Sequence, residues 1–473
     1  MTFGIESESS SPAISSSLIE TVAWCTLLAA LPFVAIDVVC GNWDHDGGFY
    51  LLRGWYVSTG LRPYLDFGTI YPPLGDIITA VFLKAGFSHV VLAIALPMLW
   101  VFATMLATAL LVHRATRDRA LAVLVAALVP AFSVNNGGNH LTLEHCVSVF
   151  SLLAFLPLVR DSRLTPAGAA RAILFSVAAI LSKQTGLVTL VVVLAGLVDR
   201  RHELTRKHIL AMIAAALALP FGIIAWLGFD LVEIHANVVS RLARYTASSD
   251  PANWGVIRHE FVRSPATAWL FVATIVLALI LAVRVRGIRL MALAAAAGVV
   301  VQFAPRIIRD YPHYNLNTWP LIVLVLALTL ARTQPLVALA SRAALLLFAV
   351  VVSAALIFTY PWAGVSPLLH TYYPAATIVS SITPDNATVR QYGTEPIIEF
   401  LAWRREEIIE RPWDPAWLYP TPPHPNSTVV ILHNRERNTK QLLAWLERYG
   451  FVPVAQIRAH RIITILRHRQ SPT

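Results

Sequence analysis

Charge is scarce in this chain. Only 14% of its 473 residues are Asp, Glu, Lys or Arg, against about 25% in a typical soluble domain. With 56% hydrophobic residues and a mean hydropathy of +0.63, there is too little polar surface to cover a soluble fold. Soluble, disordered and collagen-like classes are excluded, and a polytopic membrane protein remains. Cysteine is equally sparse. Cys25, Cys40 and Cys146 lie in or beside apolar runs without metal-ligand spacing, which excludes a disulfide scaffold and reads as small buried side chains. No Gly-rich phosphate loop, Cys/His cluster or Ser/His/Asp arrangement stands out. Met1 to Ser17 lacks the basic start of a signal peptide, so the first apolar run is expected to stay as a span.

The net charge of +10 sits in short clusters between apolar runs, a topogenic pattern and not a nucleic-acid surface. A window of about 20 apolar residues crosses the hydrocarbon. Runs meeting or approaching it fall near 18–40, 89–112, 120–134, 142–159, 169–182, 184–198, 208–228, 266–283, 289–305, 317–331 and 338–360. The split within 169–198 is placed at Ser182-Lys183-Gln184-Thr185, because a charge and three polar groups at mid-bilayer are costly. With that split and a cytoplasmic N-terminus, the clusters Arg114/Arg117/Arg119, Arg160/Arg163/Arg171, Arg200/Arg201/Arg206/Lys207, Arg284/Arg286/Arg289 and Arg332 all lie inside.

The expected fold is therefore a polytopic α-helical membrane protein of about eleven spans, with larger outer loops at 41–88 and 229–265. Residues 1–360 form the membrane module and 361–473 a small extracytoplasmic α/β domain. Strand-like runs there are Ala387–Tyr392, Thr428–Leu432 and Ile462–Leu466, with helical spacing over Pro396–Arg405 and Asn438–Arg448. In the first loop, Tyr71-Pro72-Pro73-Leu74 opens a short helix with one apolar face, suited to lie in the interface.

Chemistry concentrates in that loop. Trp43-Asp44-His45-Asp46-Gly47-Gly48-Phe49-Tyr50 sets two carboxylates two residues apart before flexible glycines, as a general base or as metal ligands. Gly60-Leu61-Arg62-Pro63-Tyr64-Leu65-Asp66-Phe67-Gly68 follows, where Asp66 is expected to fix the loop through Arg62 or backbone amides. Lys183, Arg306, Arg309 and His313 are the basic residues that fall on the outer side, close to the interface. The segment Asn135–His140, with Glu144 and His145 at the head of the next span, is polar enough to line a pocket. Plainer roles stand beside each: an interfacial snorkelling lysine, a hydrogen-bonded structural histidine, and Glu144 in a helix first turn.

Taken in order, these strings resemble the GT-C class of membrane glycosyltransferases, particularly bacterial members similar to protein mannosyltransferases. The first loop carries the acidic pair, G-x-x-P-Y-x-D-F and P-P-L. Leu181-Ser182-Lys183-Gln184-Thr185 is similar to the family's T/S-K-Q-T hairpin, Pro312-His313-Tyr314 with Pro320 to its late H-Y motif, and Tyr392-Gly393-Thr394-Glu395-Pro396 to the start of its exported domain. The resemblance implies inverting transfer of a hexose or pentose from a polyprenyl-phosphate carrier to a glycan, lipid or protein acceptor at the outer face of a bacterial plasma membrane.

By position, Asp46 matches the catalytic base and Asp44 comes second, with Gly47 where many members have Glu. Lys183, Arg306, Arg309, His313, Tyr314, Glu144 and His140 are the substrate-binding candidates. No cofactor is implied; a divalent metal is compatible with the acidic pair but not demanded. The rival classes are a secondary transporter, whose internal repeat and mid-membrane charges are not seen, and a diphosphate-lipid-dependent ligase or polymerase.

Overall fold

The structure is a computed structural model that describes residues 21, 24, 45–67, 69, 71–136, 141–159, 163–226, 232, 261–262, 265–308, 312–332, 368–385, 387–392, 397–402, 405–406, 423–432, 436–458 and 462–470. Among them, five helices are long and apolar enough to cross a membrane and four shorter apolar ones pack with them. Of the eleven expected spans, those at 18–40 and 338–360 lie outside the described residues but for Thr21 and Trp24, as does nearly all of the loop 229–265.

The first loop holds two helices, α1 (His45–Ser58) and α2 (Leu74–Lys84). The bundle then runs through α3 (His89–Thr116), α4 (Arg119–Ala126), α5 (Leu128–Asn135), α6 (Leu143–Phe155), α7 (Pro166–Ser182), α8 (Leu187–Asp199), α9 (Arg206–Trp226), α10 (Pro265–Arg284), α11 (Arg289–Ile308) and α12 (Trp319–Leu330). Helix α3, capped by the Ser88 hydroxyl, rises about 42 Å at 1.5 Å per residue, more than a hydrocarbon core. It buries Leu92, Leu96, Trp100 and Leu111 but exposes Leu99, Phe102, Leu106 and Leu110, the pattern of a helix whose solvent is lipid. Helix α12 is different, buried on almost every side at the bundle centre. The expected span at 120–134 is broken between α4 and α5, because Pro130 has no N–H for the carbonyl of Ala126.

The predicted split at 182–185 is a tight hairpin. Helix α7 ends at Ser182, Lys183 is extended (φ −159°, ψ 149°), and a 3₁₀ turn at Gln184–Gly186 starts α8. A Cβ on Gly186 would lie 2.2 Å from the Ala179 carbonyl carbon, so only glycine lets the two helices meet there. The basic loops gather at the other end of α8. Arg200 donates to Glu203 at 2.7 and 2.8 Å and to the Leu158 carbonyl at 3.2 Å, and Glu203 also accepts from the Leu164 amide. The Asp199 carboxylate caps α11 through Leu290 N and Met291 N at 3.1 and 2.8 Å.

At the hairpin end sits a five-stranded mixed sheet of β1 (Thr388–Tyr392), β2 (Arg405–Glu406), β3 (Thr428–Leu432), β4 (Phe451–Arg458) and β5 (Ile462–His468), in the order β2-β1-β3-β5-β4. Strand β1 pairs in parallel with β2 and β3, whereas β5 is antiparallel to β3 and β4. Helices α13 (Tyr373–Ile382), α14 (Ile397–Ala402) and α15 (Glu436–Arg448) pack around it. Strand β4 was not expected from the sequence. Its Pro453 argues against a strand interior, yet β4 is an edge strand with an irregularity between Pro453 and Ala455, where proline is tolerated. One face of the sheet shares a core with the first loop: Val389, Val430, Ile463 and Ile465 join Ile397 and Phe400, then Tyr50, Leu51, Tyr56 and Leu92.

Candidate functional site

The site is assembled at the hairpin end from four stretches far apart in sequence. The extended Lys183 at the end of α7 turns its ammonium inward, where it is 5% exposed and donates to Glu144 Oε1 in the first turn of α6. Lysine here does not snorkel toward water; it is buried and paired. His313, on the 3₁₀ turn Pro312–Thr318 before α12, brings Nε2 to 3.8 Å from the same carboxylate oxygen. The second oxygen, Glu144 Oε2, is buried and accepts no hydrogen bond among the described residues. That is costly for a carboxylate and leaves an acceptor for a ligand.

Two aromatic rings flank the lysine. Its Nζ is 5.2 Å from the centre of the Tyr71 ring and 4.9 Å from that of Tyr314, within cation–π range. The turn that carries His313 and Tyr314 is pinned from both sides. Ser148 Oγ donates to the Leu316 carbonyl at 2.8 Å, and Asn315 Nδ2 donates to Asn136 Oδ1 at 2.8 Å. Behind Lys183, Gln302 Nε2 holds the Thr185 carbonyl at 2.9 Å.

Tyr71 is placed by the glycine-to-glycine motif of the first loop. Asp66 accepts from the Arg62 amide at 2.7 Å and from Arg62 Nε at 3.4 Å, the loop-fixing role expected of it. The turn it closes puts Tyr64 at φ +72°, a left-handed backbone that costs about 1–2 kcal/mol in a non-glycine residue. The Tyr64 hydroxyl then donates to the Tyr71 carbonyl at 2.7 Å, and burial pushes the phenol's pKa above its ordinary value.

The acidic loop itself differs from expectation. Gly47 and Gly48 are not a flexible segment: both are buried within α1, and a Cβ on Gly48 would come 2.7 Å from the Ile397 amide of α14. Asp46 stands in the first turn of α1, with its side chain outside the described residues, and Asp44 lies outside them altogether. Arg306 occupies the last turn of α11, again without a described side chain, and Arg309 and His140 lie outside. Of the candidates, then, the described structure brings together Lys183, Glu144, His313 and Tyr314. Sequence reading missed Tyr71 as a partner of Lys183, and it missed a buried ion pair between Arg53 of α1 and Asp76 of α2. The mixed polarity of Arg53 and Asp76 in otherwise apolar stretches was the one available signal. No group of three or more His, Cys, Asp or Glu side chains with metal-site geometry occurs among the described residues.

A scan of the sequence against protein-family models gives no match, and neither does a search of curated proteins. Solved structures do match. The chain is similar to ArnT from Cupriavidus metallidurans bound to undecaprenyl phosphate, with TM-score 0.59 and 15% identity, covering 97% of this chain and 99% of that one. ArnT from the same organism in the apo state matches with TM-score 0.58 and 16% identity, over 95% and 97% of the two chains. At such identity the likeness concerns the fold: this chain shares the polytopic helical fold of these ArnT structures.

Proposed function

We propose that this protein transfers a sugar from a polyprenyl-phosphate carrier, at the outer face of the membrane, onto a glycan, lipid or protein hydroxyl. The observation that carries this reading is the buried Lys183, flanked by Tyr71 and Tyr314 and paired with Glu144, at the loop end of an ArnT-like fold. ArnT is known in complex with undecaprenyl phosphate. A lysine held at the head of a membrane hairpin suits the phosphate of such a lipid, whose apolar tail stays in the bilayer.

The chemistry asked of the site is modest. The acceptor oxygen attacks the anomeric carbon from the face opposite the phosphate; as that bond forms, the bond from the anomeric carbon to the phosphate oxygen breaks. The bonding electrons leave with the phosphate, and Lys183, with Arg306 or Arg309, balances the developing charge. The acceptor proton passes to Asp46, placed by α1, with Asp44 next in line. Glu144 Oε2 and His313 then face the sugar, where the carboxylate oxygen not engaged by Lys183 accepts from a hydroxyl.

The test is transfer of labelled sugar from a panel of polyprenyl-phosphate hexoses and pentoses by membranes holding the wild type or Asp46→Asn. Turnover with one donor, lost in Asp46→Asn while donor binding persists, is expected. No turnover with any donor would shift the reading to a diphosphate-lipid ligase or polymerase, and full activity of the variant would move the base to Asp44.

A further inference from the structure

The first loop contains a second ion pair that the proposed chemistry does not use. Arg53 of α1 donates through Nη2 to Asp76 Oδ2 of α2, and both residues are inaccessible to solvent. Arg53 Nε and Nη1 and Asp76 Oδ1 have no hydrogen-bond partner among the described residues. Three rings surround the guanidinium instead, with its carbon 5.3 Å from the centre of Phe49, 5.9 Å from Tyr50 and 5.6 Å from Tyr71. A pair so incompletely satisfied is a poor source of stability, since two apolar side chains of similar volume would fill the same space at no greater cost.

Its place in the packing suggests another use. Beside the pair, α1 and α2 approach so closely that a Cβ on Gly54 would fall 2.3 Å from the Thr79 side chain. One turn earlier, a Cβ on Gly75 would fall 2.4 Å from Leu143 at the start of α6. Helix α2 is thus wedged between the helix that carries Asp46 and the helix that carries Glu144. The Tyr71 ring lies within 5.6 Å of the Arg53 guanidinium and within 5.2 Å of Lys183.

We infer that Arg53 and Asp76 are a positioning pair: across the α1–α2 contact they set the register of α1, and hence of Asp46, and hold the Tyr71 ring against Lys183. The inference rests on the transferase reading for what the positioned groups do. It does not rest on it for the packing.

Apolar replacement separates position from stability. The charged and titratable groups around the pair are Tyr64 from the adjoining turn and Cys146 on α6, with Lys183 and Glu144 beyond Tyr71; His89 on α3 is engaged with Phe400 and Trp55. The full-length double variant Arg53→Met with Asp76→Leu is expected to fold with an unfolding temperature near that of the wild type. Its kcat should fall by about tenfold or more with donor KM within about threefold, because misplacing a reacting group acts on the chemical step. Asp76→Glu, which keeps the charge and lengthens the arm, should lose kcat in the same way. The part of the wild-type pH profile that rises through about pH 6 should be lost in the double variant, while any limb set by the proposed base Asp46 stays.

Full kcat in both variants, or a rise through about pH 6 that persists in the double variant, overturns the inference. Should the double variant not fold, Asp76→Glu alone decides it. Should the wild type turn over no polyprenyl-phosphate sugar, the transferase reading fails, and alkylation of the buried Cys146 by N-ethylmaleimide, followed on its own peptide, judges the pair. Faster alkylation in the folded double variant supports it, and an unchanged rate overturns it.

Discussion

The Lys183 ammonium stands 5.2 Å from the centre of the Tyr71 ring, although Tyr71 belongs to the first loop and Lys183 to the hairpin between α7 and α8, 112 positions on; the packing of α2 against α7 brings them together. Through that ring the α7–α8 hairpin of the bundle and the first loop share one site. The consequences can be measured.

Removing Lys183 alone leaves Glu144 as a buried charge without its partner, a loss of about 3–5 kcal/mol. Lys183→Met should therefore lower the unfolding temperature sharply, and Glu144→Gln added to it should restore most of the loss. Titration of the purified double variant with undecaprenyl phosphate is the decisive reading: folded protein with binding weakened at least tenfold is expected. Wild-type affinity in that variant would remove Lys183 from the phosphate site.

Gly186→Ala should be among the most damaging small substitutions in the chain. Its Cβ would meet the backbone of Ala179 at 2.2 Å, and no side chain is free to give way. A cost of about 3 kcal/mol or more is expected from overpacking of this kind. Thermal unfolding in detergent tests it, with Gly287→Ala, where added bulk meets nothing, as the neutral control.

Tyr64→Phe deletes the hydroxyl that holds the Tyr71 carbonyl at 2.7 Å and leaves that carbonyl with one acceptor interaction fewer. A loss of about 1 kcal/mol in stability is expected for one buried neutral hydrogen bond. A larger fall in transfer activity than in stability would show that the turn serves Tyr71.

The pH dependence of Asp76 carries opposite signs for folding and for activity. Burial raises its pKa from 3.8 to about 6, against the pull of Arg53. A raised native pKa means that the folded protein holds the proton more tightly than the unfolded one. Its contribution, about 3 kcal/mol, is full below about pH 4 and lost as the pH rises to about 6. The positioning role needs the ionised pair, so activity should instead rise through about pH 6. Unfolding and turnover followed from pH 4.5 to 7.5 in the wild type and Asp76→Asn test both, the variant losing this part of the slope in each.

Much of the helical framework follows from the residues taken singly. Runs of apolar side chains long enough to cross the hydrocarbon must be helical, because no water is there to satisfy the backbone. The polar Ser182–Thr185 stretch marked the hairpin for the same reason, and Arg62 with Asp66 marked a turn by short-range hydrogen bonding. Lys183, Glu144 and His313 could be named as polar residues at the ends of apolar segments, where burial of charge demands a purpose.

What the tertiary structure alone decided is who meets whom. That Lys183 is neutralised by Glu144 and enclosed by Tyr71 and Tyr314, that Gly47 and Gly48 are helical and buried, and that the C-terminal sheet packs on the first loop all depend on contacts between residues tens to hundreds of positions apart. Local propensity reads glycines as loop and Pro453 as a break; packing against Ile397 and a place at a sheet edge override both. The buried Arg53–Asp76 pair shows the limit most plainly. Each residue alone is an ordinary charge, and only their meeting across α1 and α2 makes either one tolerable where no water reaches.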